Sequence, residues 1–424
     1  MRRRLRIGTA SQGGANVLFD EARQERIMPR APGGKRRLAL FTGNYNYTRD
    51  GASQAVHRLV TYLEQSGDWQ VRIYSPTTRT PAFDRDRKIV SIPSAPVPLR
   101  PEYRMALGLT RAATENVRRF DPDIVHLATP DRLGVQAQAL ARRLGAPVVA
   151  SVHTRFDSYF SYYGLGWLEA LAANHLQAFY SGCDHVLAPT QPIAQALAAE
   201  GLGSRVRVWS RGVDREQFNP ARRDMDWRRA QGLADDDLVV IFFGRVVMEK
   251  GLAVFVDAIS RARAACPRIR PMVIGDGPAR AWLQQRLPDG VFTGQLSGEA
   301  LGRAVASADI LFNPSTTEAF GNVTLEAMAA GLAAVCADAP SHRALLAPAD
   351  AGVLCDAADP EAYAAVLVEL AEHPMHRLRL GRTAREASAA YSWDAALGSV
   401  AEVYEEAMAG RAAFWNTQDE RRSA

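Results

Sequence analysis

A chain of 424 residues with 47% hydrophobic and 23% charged residues has material for two or more domain cores and the composition of a soluble globular protein. The formal charge is +5, but Met1–Arg37 holds ten Lys/Arg against three Asp/Glu, +7 on its own, which leaves 5 − 7 = −2 for the rest. So neutral a body excludes a global basic field for nucleic acid, and no apolar run reaches the roughly 18–20 residues that span a bilayer.

The first residues, MRRRLRIGTASQGG, form a basic region with no apolar stretch behind it, so no secretory signal is expected and a cytoplasmic protein follows. Residues 1–36 read as a disordered basic tail, free to visit anionic lipid or nothing. From Arg37 a strand (RLALFTG) leads through NYNYTRDGAS into a helix expected over Gln54–Gln65. Strand signals recur at Gln70–Tyr74, Lys88–Ile92, Ile124–Leu127, Pro147–Val152, His185–Ala188 and Val206–Val208. Amphipathic runs such as Arg111–Arg119 and Leu133–Leu144 lie between them. Strands alternating with helices predict parallel βαβ units covered on both faces.

Ser210–Pro220 reads as a crossing, after which the pattern restarts. Strands are expected at Leu238–Gly244, Arg270–Gly275, Gly290–Thr293, Asp309–Phe312, Ala333–Ala337 and Gly352–Leu354. Helices are expected at Leu252–Ala264, Pro278–Arg286, Glu299–Ser307 and Val323–Ala330, and three more (Glu361–Glu372, Pro374–Tyr391, Trp393–Ala409) close the chain. The predicted organisation is α/β, two doubly wound, Rossmann-like halves at 37–210 and 211–392. A separate closing helix at 393–410 and a flexible tail at 411–424 follow. Ligands of such folds bind at the carboxyl ends of the strands, here in the cleft between the halves.

Several patterns carry no chemistry. Cys183, Cys266, Cys336 and Cys355 are scattered and read as buried free thiols. The D-x-D pairs Asp84–Asp86 and Asp121–Asp123 read as structural, and eight histidines without H-x-x-H spacing indicate no metal site. Asn322-Val-Thr is a glycosylation sequon without a secretory route. Neither a complete G-x-G-x-x-G nor a G-x-x-x-x-G-K-[ST] loop occurs, which gives a dehydrogenase or a P-loop enzyme little support.

Two places do carry it. In Asn313–Gly331 (NPSTTEAFGNVTLEAMAAG), Glu318 lies in a loop after a buried strand, and Glu326 lies one turn inside the helix that follows. The corner sets exposed N–H groups and a positive helix end beside two carboxylates, a place for a phosphate and for hydroxyls. In Gly244-Arg-Val-Val-Met-Glu-Lys-Gly251, Arg245 and Lys250 sit at the carboxyl end of an apolar strand and suit a diphosphate.

The stretches GRVVMEKGL, IGDGP, FTGQL and NPSTTEAFGNVTLEAMAAGL, in this order and spacing, resemble the retaining glycosyltransferases of family 4, which have the GT-B fold. The resemblance covers about Arg37–Ala409. SVHTRFDSYFSYYGLGWLE and SRGVDREQFNP look like the branch that holds GDP-mannose-dependent α-mannosyltransferases and sulfoquinovosyl transferases. The resemblance implies that Arg245 and Lys250 hold the donor diphosphate and that Glu318 contacts the sugar hydroxyls. The backbone of Ala319, Phe320, Gly321 and Asn322 would help Glu318, and Glu326 would bind the ribose. It implies that Gly51 lets backbone approach the phosphates, with Asp50 where the family often shows a second glycine, and that His153 lies near the reacting sugar. The base pocket is expected around Phe292–Ser297, where nothing names guanine or uracil.

The implied partners are a nucleotide sugar, GDP-mannose first and a UDP-sugar as alternative, and a glycan or lipid-linked acceptor. No cofactor, divalent metal or nucleic acid is expected. A front-face displacement is implied, along with domain closure on the donor and coupling of the halves by the final helix. A nucleotide-sugar epimerase and a non-catalytic GT-B scaffold are rivals; the second expects one of Arg245, Lys250, Glu318 and Glu326 to be lost, and all four are present. Arg100, Arg104, Arg111, Arg118 and Arg119, interleaved with Met105, Leu107 and Leu109, form either a basic apolar surface for an anionic membrane or an ordinary solvated helix. Peripheral contact with the inner face of the cell membrane therefore stays open.

Overall fold

The computed structural model describes residues 34–46, 50–78, 83, 89–97, 100–153 and 169–423. Residues 1–33 of the basic tail, the Asp84–Asp86 pair and most of the SVHTRFDSYFSYYGLGWLE stretch lie outside them. Strands before the crossing are β1 Arg36–Phe41, β2 Trp69–Ser75, β3 Ile89–Ser91, β4 Ser94–Val97, β5 Arg100–Ala106, β6 Ile124–Leu127, β7 Val148–Ser151, β8 His185–Ala188 and β9 Val206–Val208. Those after it are β10 Leu238–Phe243, β11 Ile269–Ile274, β12 Val291–Gly294, β13 Ile310–Asn313, β14 Ala333–Ala337 and β15 Val353–Cys355.

These make a seven-stranded sheet in the order β3-β2-β1-β6-β7-β8-β9 and a six-stranded sheet in the order β12-β11-β10-β13-β14-β15, both parallel. The two-sheet α/β architecture expected from the alternating pattern is the one found. By compactness, one unit holds the chain through Ala150 with Gly182–His185 and the residues from Ala401 on, and the other holds Ser151–Ser181 with Val186–Val400.

The six-stranded sheet shows why its strands read as unbroken apolar runs. On β10, Leu238, Val240 and Phe242 pack on one face with Phe255 and Ile259 of the helix Leu252–Ala265 and with Tyr363 and Leu367 of the helix Pro360–Glu372. Val239 and Ile241 pack on the other face with Leu325 and Met328 of the helix Asn322–Ala329 and with Leu345 of the helix Pro340–Leu346. A strand buried on both faces has no polar side, so alternation disappears. Strand order reverses between β10 and β13, which pair at Val240↔Ile310 and Ile241↔Leu311. At such a switch point the loops after the two strands diverge to opposite faces and leave a crevice.

In the seven-stranded sheet the order reverses between β1 and β6. Asp50 caps the helix Gly51–Gln65 by accepting from the Ser53 N–H, and Asp131 caps Arg132–Leu144 by accepting from the Gly134 N–H. Arg37 binds both Asp121 and Asp123, the second also accepting from the Arg37 backbone N–H at 2.7 Å, so this D-x-D holds the amino ends of β1 and β6 together. The four cysteines are buried thiols that form no disulfide among the described residues.

The basic stretch 100–119 is not one helix. Arg100–Ala106 is β5, antiparallel to β4, and the helix begins at Arg111. Arg104 spends its guanidinium on Ser94, donating from Nε to Oγ at 2.8 Å and from Nη2 to the carbonyl at 2.7 Å. Arg111, Arg118 and Arg119 are exposed on the helix Arg111–Phe120, and Met105 and Leu107, which precede it in the chain, are 50% and 47% exposed. The final helix runs Trp393–Ser423, past residue 410.

Candidate donor site

The turn after β10 and the loop after β13 meet over the switch point. Gly251 closes the tight turn Met248–Lys250 with φ +75, and a Cβ there would stand 2.7 Å from the carbonyl oxygen of Pro314. Only glycine permits both the left-handed backbone and that approach. Two more contacts clasp the segments: Thr317 Oγ1 donates to the Glu249 carbonyl at 3.3 Å, and Lys250 Nζ donates to Glu318 Oε1 at 2.6 Å. The Lys250 and Glu318 side chains are 21% and 17% exposed, so the pair is largely withdrawn from water yet open along one side. Burial raises the Glu318 carboxyl, but the Lys250 charge and hydrogen bond, with a smaller contribution from His342, outweigh it and hold the group below its ordinary value.

Three residues after Glu318 the chain turns into the helix Asn322–Ala329. Gly321 supplies the turn at φ +96, where a Cβ would reach within 3.0 Å of Leu345 Cδ1. The first helical hydrogen bond runs from Leu325 N to Gly321 O, and no side chain caps the end. The N–H groups of Asn322, Val323 and Thr324 therefore precede the helical ladder, at the positive end of the helix dipole and beside Glu318.

Arg245 follows Gly244 in the same turn as Lys250 and is half-buried; Glu326 is half-buried one turn into the helix. Ala319 is half-buried in the bend, as is Asn322 at the helix start. Phe320 is buried, its ring edge-on to Tyr391 at 6.0 Å, so only its backbone can face a ligand. Phe292 and Thr293 lie on β12, with Leu296 partly buried against the core.

His153 lies two residues past β7. Its Nδ1 accepts from Arg211 Nη2 at 3.3 Å, its Nε2 is 2.8 Å from Ser151 Oγ, and its ring stands edge-on to Trp209. The Arg211 guanidinium is buried over the Trp209 ring and donates to the carbonyls of Trp209 and Ser210. Burial pushes it down to about 10, still charged at neutral pH. Gly51 opens the helix Gly51–Gln65 of the first unit, where Ser53 Oγ donates to the Asn44 carbonyl at 2.9 Å.

Sequence reading missed what lies beneath this corner. Asn313, the last residue of β13, donates from Nδ2 to Thr324 Oγ1 and to His342 Nε2, both at 3.2 Å, while its Oδ1 accepts from the Ser315 N–H. His342 is fully buried and donates from Nδ1 to the Ala337 carbonyl at 3.0 Å. The available signal was positional: His342 follows β14, so it belongs to the same carboxyl edge as Lys250 and Glu318.

Comparison with known proteins shows the family and the fold. The chain matches the family model Glycosyltransferase Family 4 over residues 49–217 and the model Glycosyl transferases group 1 over residues 237–373. It is similar to a GDP-mannose-dependent alpha-mannosyltransferase of Mycolicibacterium smegmatis, 34% identical over 88% of this chain and 98% of that protein. It is also similar to a sulfoquinovosyl transferase of Arabidopsis thaliana, 31% identical over 85% of this chain and 72% of that one. Among solved structures, sucrose-phosphate synthase of Thermosynechococcus elongatus shares the fold with a TM-score of 0.68 at 19% identity, covering 89% of this chain and all of that one. HepE of Anabaena, solved with UDP and glucose, does so with a TM-score of 0.69 at 18% identity, covering 88% and 100%.

Proposed function

The chain belongs to glycosyltransferase family 4 and is a hexosyltransferase, and on that premise we propose that it moves mannose from GDP-mannose to a lipid-linked or glycan acceptor with retention of configuration. The observation that carries this reading is the Lys250–Glu318 pair beside an uncapped helix N-terminus at the switch point of a parallel sheet. That arrangement puts cationic and N–H donors beside a carboxylate, as a sugar diphosphate requires. The domain division at 37–210 and 211–392 is part of the proposal.

In this reading Arg245, Lys250 and the N–H groups of residues 322–324 take up the charge that develops on the leaving diphosphate. Glu318, kept ionised by Lys250, accepts from the sugar hydroxyls, and Glu326 accepts from the ribose. Ala319 through Asn322 contribute backbone donors, Gly51 leaves backbone open to a phosphate oxygen, and His153 stands near the reacting carbon. The acceptor oxygen bonds to the anomeric carbon on the face from which the phosphate departs, and its proton passes to the departing phosphate oxygen. These donors supply the charge stabilisation without a divalent metal. No helix of the described residues is long and apolar enough to cross a membrane. Exposed Met105 and Leu107, and exposed Arg111, Arg118 and Arg119 on the helix that follows them in the chain, support peripheral contact with an anionic membrane.

The similarity to a sulfoquinovosyl transferase favours one second reading, a UDP-sugar donor for glycolipid synthesis. Transfer and hydrolysis assays over a panel of GDP- and UDP-sugars separate the two. Turnover of GDP-mannose is expected, turnover of UDP-sugars alone establishes the second reading, and no turnover with any donor overturns both.

A further inference from the structure

The buried histidine under the donor corner has no part in the mechanism above, yet every bond it makes bears on the position of Glu318. Its Nδ1–H donates to the carbonyl of Ala337 at the end of β14, and its Nε2 lone pair accepts from Asn313 at the end of β13. Its ring carbon Cδ2 is 3.6 Å from where a Cβ of Gly321 would stand, against the turn that opens the helix Asn322–Ala329. Asn313 in turn receives the Ser315 N–H and binds Thr324 inside the first helical turn. One imidazole and one carboxamide thus fix both ends of the loop 314–321, which carries Glu318.

We propose that His342 is the positioning residue of this loop: as a neutral imidazole it ties β13 and β14 to the helix N-terminus, and on protonation it releases Asn313 and with it the Glu318 loop. The bond inventory dictates the direction. A protonated ring carries N–H on both nitrogens, so Nε2–H would face the Asn313 amide N–H, donor against donor. Turning the Asn313 amide over to accept that proton would set its N–H against the Ser315 N–H and forfeit that bond.

Several charged or titratable groups surround the ring. Glu318 and Lys250 act on it from the two loops, Glu318 favouring the imidazolium and Lys250 opposing it. Asp338 and Arg343, flanking it in sequence, are paired with each other at the surface. Glu326 lies on the neighbouring helix, Cys355 lies on β15, and Cys336, the partner of Thr324, is held neutral with its thiol pushed up to about 12. Burial outweighs the Glu318 charge and lowers the imidazole below its ordinary value of 6.5, so the loop is tied at neutral pH and loosens in acid.

The inference deepens the donor-site reading and rests on it for its functional consequence, but its structural content is tested without any donor. Backbone hydrogen exchange of the 313–330 segment, corrected for intrinsic rate, is followed from pH 8 to pH 4.5 in the full chain and in His342→Gln and His342→Leu. Glutamine keeps one donor and one acceptor and does not titrate; leucine keeps volume and neither bond. The wild type is expected to lose at least tenfold protection as pH falls through one ionisation below 6.5. His342→Gln should stay protected at every pH, and His342→Leu should be exposed by at least tenfold at every pH.

A wild-type loop equally protected at pH 8 and pH 4.5, or an acid limb that persists in His342→Gln, overturns the proposal. Calorimetric titration with GDP and UDP at pH 7.5 supplies the second arm. If the loop responds as described but neither nucleotide binds the wild type, the donor reading fails and the role of His342 in the loop stands. If a nucleotide binds and His342→Leu leaves both its affinity and the loop unchanged, the donor reading stands and the role of His342 fails.

Discussion

The ammonium of Lys250 stands 2.6 Å from a carboxylate oxygen of Glu318 and joins the turn after β10 to the loop after β13. The sequence reading gave these residues separate tasks, phosphate for one and sugar for the other. Their contact makes them one unit in which each sets the charge and place of its partner. Lys250→Ala and Glu318→Gln are each expected to lower kcat/KM at least a hundredfold, about 2.7 kcal/mol, with the fold intact by circular dichroism. The double variant should lose far less than the product of the two, because either change already breaks the unit. Steady-state kinetics on the cycle measures this, and strictly multiplicative losses would show that the contact is incidental.

The clasp itself depends on Gly251. At φ +75 and with the Pro314 carbonyl 2.7 Å from a would-be Cβ, alanine must strain the backbone and push the two segments apart. Gly251→Ala is expected to cost about 1–3 kcal/mol of stability and to weaken nucleotide binding, although residue 251 contributes no donor-binding side chain. Chemical denaturation and nucleotide titration of the same variant check both effects.

Acid should destabilise the fold earlier than carboxylates alone would. Burial pushes the His126 imidazole, whose Nδ1 stands 2.6 Å from the Tyr404 hydroxyl, down to about 3. Below pH 6.5 the unfolded chain binds a proton that folded His126 refuses, so stability falls as pH falls, by roughly 1.4 kcal/mol per unit. The loss continues until folded His126 itself protonates. His342 acts in the same direction, and Glu318, lowered in the fold, adds its loss below its ordinary value of 4.5. Urea midpoints between pH 8 and pH 5 should drop, and His126→Gln should flatten that slope.

The exposed pair Met105 and Leu107 precedes the basic helix Arg111–Phe120 in the chain. If that face meets an anionic membrane, the Met105→Ser, Leu107→Ser variant should weaken liposome partitioning on the order of tenfold per residue. Replacing Arg118 and Arg119 should abolish its salt dependence. Co-sedimentation with and without anionic lipid decides it, and salt-independent absence of wild-type binding would remove the membrane reading.

Much of this was legible from residue order. Runs such as Leu238–Phe243 show no alternation because both faces are buried, and that feature separates parallel from antiparallel strands without any structure. The helix after Gly321 announced itself through Thr324-Leu-Glu-Ala-Met. The β4–β5 pairing did not, because Pro96 and Pro101 interrupt the pattern and only an edge pairing tolerates them. Nor did the Lys250–Glu318 contact or the Asn313–His342 bond, since each joins residues brought together by strand order, 68 and 29 positions apart in the chain. Local pattern reports faces and ends; it does not report which loops become neighbours.

The most direct test of the central claim is calorimetric titration of the full chain with GDP and with UDP, repeated on Lys250→Ala. The account predicts that GDP binds more tightly than UDP and that loss of the Lys250 ammonium weakens it at least thirtyfold, about 2 kcal/mol. Absence of binding by either nucleotide, or the same affinity in Lys250→Ala as in the wild type, would contradict it.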